Sequence, residues 1–252
     1  MISTYAVRSA TPYALSIAFP SDNDLLGVAL VCTVKDPTLP ALRDPATFGV
    51  LVRLFPSTGA WLSTGPRPVG EVHVMAGFDN RWSPTADESG PAATGVIRVG
   101  DALAHTNPTM TQGISLAPWA ARHIADTAHH ADRPDEFARS CDRWTRDSPK
   151  PWFDLQVTGD RDNEARLSGT SGAVEDERAR QRAARFPCAL EDPVVMRAWA
   201  QVRHMMRTPR EAFAAAKVKG RIEKWLARQP EAARPPSGPS RDTWETITAG
   251  AR

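Results

Sequence analysis

Near residue 113 the chain's pattern changes from mainly strands joined by turns to successive helices, and that change predicts an α+β architecture. Before it, residues 5–9, 14–19 and 25–34 are rich in Val, Ile, Leu, Tyr and Phe and are separated by Thr11-Pro12 and by Pro20-Ser-Asp-Asn-Asp24. Pro, Asn and Asp each favour turns for a different reason, so these short breaks predict an antiparallel meander. Asp44-Pro45 sets an N-cap residue before a proline at the first helical position, where the missing N–H would have had no partner anyway. Short helices are expected over 45–64, broken at Pro56, then strands at 71–76 and 95–99 around a loop at 79–92. Beyond Gly113 the apolar spacing is helical, with alanine-rich filling, over 113–131, 134–147, 150–167, 174–185 and 193–228. Residues 229–252 are rich in Pro, Gly and Ser and read as a disordered tail. The expected division is a β-rich part (1–94), a strand, loop and helix (95–131), a helical extension (132–228) and the tail.

With 252 residues, 41% of them hydrophobic, the chain has enough apolar material for a core. Three cysteines, Cys32, Cys141 and Cys188, show no CxxC spacing and make no disulfide framework, which points to a reduced, cytoplasmic setting. The longest apolar run, 25–34, is about half of the roughly 20 residues a membrane span needs. No export signal is readable in the first residues. The net charge of +2 conceals an arginine-rich second half, but at 161–166 and 175–182 both signs are mixed, as on solvated helix faces. Nucleic-acid binders carry a one-sign stripe instead, so no nucleic-acid partner is expected.

The chemistry-bearing stretch is 95–117. It reads as a short strand, a Gly100-Asp101 pair at its carboxyl end, a loop with Asn107-Pro108, and Gly113 opening a long helix. Ligands of open α/β sheets bind beyond strand carboxyl ends, where a helix N-terminus offers free amides and partial positive charge. An aspartate in such a turn can accept hydrogen bonds from a polyol. Gly100-Asp101, Asn107-Pro108 and Gly113, at this spacing, resemble the second FAD-binding motif of flavin-dependent monooxygenases, halogenases and related reductases of the hydroxylase type. More weakly, residues 72–81 resemble the substrate-facing sheet of those enzymes, and 134–168 their helical extension.

The resemblance implies a partial FAD/NAD(P)-binding fold: an antiparallel substrate-domain sheet and one FAD-domain strand, loop and helix, followed by helices. It implies that Asp101 bonds a ribityl hydroxyl, that Pro108 lies beside the isoalloxazine, and that amides near Gln112 and Gly113 face the pyrimidine oxygen. A small organic substrate, and NAD(P)H as reductant, would go with such an enzyme. Two departures stand out. Thr111 occupies a position where the family has glycine. No two glycines of the chain are separated by a single residue, so the GxGxxG seat of the ADP half is absent. The chain is therefore expected to be the C-terminal portion of a longer flavoenzyme, or a non-catalytic remnant or interaction module that binds no FAD by itself. Strands without their sheet neighbours would leave unpaired edges and favour self-association. His105 is read as a surface or capping residue or a proton relay, His129-His130 as a helix end, and the tryptophans as packing residues.

Overall fold

The structure is a computed structural model and describes residues 7–93, 95–108, 112–168, 173–228 and 238–250. Its first part comprises β1 (Val7–Ala10), β2 (Ala14–Pro20), β3 (Leu26–Cys32), α1 (Pro45–Arg53), α2 (Pro56–Leu62), β4 (Arg81–Trp82) and β5 (Ala104–His105). Helices follow: α3 (Gly113–Thr127), α4 (Pro134–Asp147), α5 (Lys150–Ser168) and α6 (Ala173–Glu191). The last are α7 (Pro193–Arg203), α8 (Pro209–Phe213), α9 (Ala216–Arg228) and α10 (Arg241–Ala249). The chain is mixed α+β, about 58% helical, with small antiparallel sheets. No described helix is long and apolar enough to cross a membrane. Two compact units emerge: Met1–Ala76 with Asn163–Ala173 and Gln229–Arg252, and Gly77–Asp162 with Val174–Arg228.

The first unit is a meander in the order β1-β2-β3. Alternation along β2 sends Ala14, Ser16 and Ala18 inward, each fully buried. Small side chains on that face let helices approach closely, and the seam is closed by hydroxyls: Ser16 Oγ lies 2.9 Å from Thr58 Oγ1, and Ser9 Oγ donates to Ser57 Oγ at 2.6 Å. As the sequence suggests, Asp44 caps α1, accepting from the Thr47 N–H at 2.7 Å, with Pro45 at the first position. The core gathers Ala14, Leu42, Leu51, Phe55 and the fully buried Trp244 of α10. Trp244 meets Tyr13 and Phe55 edge-on at 5.4 and 6.5 Å, and its Nε1 donates to Thr38 Oγ1 at 2.8 Å. Thr38 Oγ1 in turn donates to Asp36 at 2.7 Å, and Arg241 grips the same carboxylate at 2.6 and 3.3 Å.

This docking corrects the expectation of a disordered tail over 229–252. The portion within the described residues, 238–250, forms an ordered capped helix, with Ser240 Oγ accepting from the Thr243 N–H at 3.2 Å. Its composition is poor in apolar residues, yet Trp244, Ile247 and Thr248 fall on one helical face, and that face is the one buried or packed against the core. Residues 229–237 lie outside the described residues.

In the second unit, α6 to α9 enclose a core of Cys188, Ala189, Val195, Ala198, Phe213, Ile222 and Trp225 with their neighbours. The expected single helical stretch 193–228 is divided. Met205 adopts a left-handed backbone (φ 57°) after α7, and Thr208 with Glu211 forms a capping box that starts α8 behind Pro209. Trp119 of α3 meets Trp144 of α4 and Trp152 of α5 edge-on at 5.5 and 5.6 Å, so these tryptophans dock helices. The strand expected at 71–76 is not formed: residues 66–69 and 71–80 are outside any sheet, and Val74 and Met75 are exposed.

Replacing Trp244 by Ala removes the largest buried side chain of the first unit and should cost about 3–5 kcal/mol in denaturant unfolding, the usual range for such truncations. Acid should act on the same clasp. Burial alone would raise the Asp36 pKa, but the hydrogen bonds from Arg241 and Thr38 and the Arg241 charge outweigh it and hold the carboxyl below its ordinary value. A folded-state pKa lower than that of the unfolded chain means the contribution is complete above the ordinary aspartate value and is lost as pH falls through it towards the folded one. Thermal midpoints followed from about pH 6 to about pH 3 should fall less steeply in Asp36→Asn than in the parent.

Candidate functional site

The Gly100-Asp101 segment lies in the second unit. Val99 is extended (φ −138°, ψ 163°), and Gly100 then turns left-handed (φ 56°) to begin a 3-10 turn over Gly100–Ala102. A side chain at position 100 would impose the left-handed penalty, roughly 1 kcal/mol. The turn is closed by Leu103 N–H donating to Gly100 C=O at 3.0 Å. Immediately after it, Leu103 and Ala104 drop into a small core with Phe153, flanked by Trp82, and Ala104–His105 pairs with Arg81–Trp82. Because Leu103 and Ala104 point inward, Asp101 is left outside, its side chain 78% exposed, with Oδ2 3.4 Å from His105 Nδ1.

The Asn-Pro loop is tethered rather than free. The Asn107 N–H donates to Asn80 Oδ1 at 2.9 Å, and Asn80 Nδ2 donates to Asp160 Oδ2 at 2.6 Å. Gln156, one turn earlier on α5, donates to the other Asp160 oxygen at 2.8 Å. Pro108 is exposed at the end of this chain of bonds. Thr111 lies outside the described residues.

Gly113 opens α3 as its position suggests. Gln112, at the N-cap, is buried, and its backbone carbonyl accepts from the Ser115 and Leu116 N–H groups at 3.0 Å each. Its side chain turns inward and donates to the Val202 and Arg203 carbonyls at 3.5 and 3.4 Å. Trp152 Nε1 donates to the same Val202 oxygen at 3.2 Å, so two donors satisfy the end of α7. Any service Gln112 gives a ligand must therefore come from its backbone. The Gly113 and Ile114 amides have no acceptor within their own helix, and the partial positive charge of the terminus sits there. The helix packs on the 3-10 turn, with Ala117 Cβ 3.4 Å from where a Cβ on Gly100 would stand.

The strand expected at 95–99 is not formed. Gly95 turns with a positive φ of 74° and residues 96–99 belong to no sheet; Arg98 is held by side-chain and loop contacts, its N–H to Thr85 Oγ1 and its Nη1 to the Pro84 carbonyl, both at 3.1 Å. Val96 and Val99 stay exposed, so this stretch has no apolar face to bury, whereas Leu103 and Ala104 do. The ladder strand thus follows Gly-Asp instead of preceding it, and the sheets among the described residues are antiparallel.

Asn80, Gln156 and Asp160 are the supporting residues that sequence reasoning missed. The Gln156/Asp160 spacing of four on a helix was the signal available for two of them. The thiols offer no nucleophile: burial, with the Asp36 charge adding to it, pushes Cys32 up to about 12, and burial also raises Cys141 and Cys188.

An exposed carboxylate on a glycine turn, an exposed proline on a tethered loop and the amides of a helix N-terminus packed on that turn are the polar and apolar groups this segment presents. For the ADP half of FAD the sequence supplies no GxGxxG seat.

Asn80→Ala should release the loop while sparing the core. Hydrogen exchange at the Asn107 amide should accelerate by about tenfold, the equivalent of one lost hydrogen bond near 1.4 kcal/mol, with little change at Leu103.

Comparison with family models, curated proteins and solved structures gave no match for the chain.

Proposed function

We propose that this chain is part of an FAD-dependent oxidoreductase of the monooxygenase and halogenase type and contributes the surface that contacts the ribityl and isoalloxazine portion of the cofactor. One observation carries the reading: Asp101 projects from a left-handed glycine turn that is packed against the N-terminal half of α3. In this reading the Asp101 carboxylate accepts a hydrogen bond from a ribityl hydroxyl. The Gly113 and Ile114 amides face the pyrimidine edge, where a helix N-terminus favours negative charge. Asn107, fixed by Asn80, holds Pro108 against the ring, and exposed Ile114 adds apolar surface beside it. FAD bound there would supply hydride or oxygen chemistry toward a small organic substrate, with NAD(P)H as reductant, while the protein supplies orientation and electrostatics.

A second reading, an interaction module without autonomous flavin binding, is favoured by the contact of Asp101 with His105 and by the missing glycine seat. Fluorescence titration of riboflavin and of FAD with the purified protein separates the two. The flavin reading expects quenching of both, with affinities within a few-fold of each other because the ADP half finds no seat. Asp101→Ala should weaken both by about tenfold or more, as for loss of a hydrogen bond to a charged group. Fluorescence unchanged at saturating protein overturns flavin binding and leaves the interaction module.

A further inference from the structure

Helix α4 buries Phe137, Ala138, Cys141 and Thr145 and turns arginines outward on the opposite side. Between this helix and the 3-10 turn of Ala128–His130 lies a cleft of about 280 Å³. Arg139 and Arg143 line it one helical turn apart, together with Ser140, Phe137, His130 and Arg133. Glu136, the carboxylate in the lining, is taken by Arg133 at 2.8 Å. Arg146, on the next turn, is committed to Asp142 at 2.6 Å and to the Ala86 carbonyl at 3.2 Å.

Arg139 and Arg143 differ from the arginines that flank them along the chain. Arg133 and Arg146 each sit within ion-pair distance of a carboxylate, Glu136 and Asp142 respectively. Among the described residues neither Arg139 nor Arg143 has such a partner. Arg139 acts electrostatically on Asp87, and its Nη2 lies 3.0 Å from where a Cβ on Gly90 would stand; the Asp87 carboxylate is itself capped by the Ser89 hydroxyl and N–H and by the Gly90 N–H at 2.6, 2.8 and 3.3 Å. Two guanidinium forks at helical i, i+4 spacing, neither within ion-pair distance of a carboxylate, with Ser140 and Phe137 in the same lining, suit a tetrahedral oxyanion. Their planar donors match phosphoryl oxygens two at a time.

We propose that this cleft binds phosphate oxyanions of the class of pyrophosphate and nucleoside polyphosphates, with Arg139 and Arg143 clamping adjacent phosphoryl groups and Ser140 donating to one of them. Two guanidinium groups one helical turn apart match a linked pair of phosphoryl groups better than inorganic orthophosphate. The proposal is independent of the flavin reading, because the cleft lies at the other end of α3 from Gly113.

Isothermal titration and 31P line broadening with the full chain test it, using pyrophosphate and ATP as separate probes. Binding of either probe is expected in low salt, weakening steeply as salt is raised. Arg139→Ala and Arg143→Ala should each lower affinity by about tenfold or more and Ser140→Ala by a few-fold, while the Lys replacements fall between parent and Ala. Tighter binding of ATP than of pyrophosphate would assign the natural ligand as a nucleotide, and equal binding as an inorganic or other polyphosphate. Arg122→Ala, at a paired exterior site, should change nothing, and circular dichroism should be the same for all variants because the altered side chains are exposed. Absence of binding at millimolar pyrophosphate and ATP, or binding insensitive to both arginine substitutions, overturns the proposal.

Discussion

Burial of Leu103 and Ala104 against Phe153 decides the geometry of everything around Asp101. Once those two residues are drawn inward, the chain must reverse just before them. Glycine at position 100 is what permits the left-handed reversal, and the side chain between the turn and the buried pair is forced into solvent. The same insertion supplies the strand that pairs with Arg81–Trp82, and it brings the following loop to Asn80, which fastens it to α5 through Asp160. An exposed acid, a tethered proline and a helix terminus are thus consequences of one apolar anchoring event rather than three separate features.

The first unit rests on a comparable economy. A carboxylate, a hydroxyl, a guanidinium and an indole form one connected set of bonds, Arg241 to Asp36, Thr38 to Asp36 and Trp244 to Thr38, and the indole's rings also fill the core. Buried polar groups are tolerable when every member is satisfied, and here the chain terminus supplies the missing members. Helix α10 is accordingly part of the meander's core and cannot be regarded as an appendage.

Much of this was legible in the residues because local chemistry carried it. The Asp44-Pro45 helix start, strands β2 and β3, and the span of α4 follow from caps, turn residues and apolar spacing. Of the candidate site, the Gly100 turn and the start of α3 at Gly113 were legible as local structure, and they pack on each other because they are encoded close together. What failed depended on partners far away in sequence. Residues 71–76 and 95–99 alternate as strands do, but a strand requires a neighbour, and none is provided among the described residues. The C-terminal helix was hidden because its few apolar residues acquire meaning only against Phe55 and Tyr13, far earlier in the chain. Gln112 shows the same limit: its side chain is claimed by the Val202 and Arg203 carbonyls about ninety positions away, which no local pattern announces.

We propose that the Gly100 turn and the start of α3 form one flavin-contacting surface. The most direct measurement is amide chemical-shift mapping on the isotope-labelled chain during addition of riboflavin. The account predicts saturable shifts concentrated at Asp101, Asn107, Gly113 and Ile114, with the amides of α10 unmoved. Shifts absent from those four positions, or spread evenly over the chain, would contradict it.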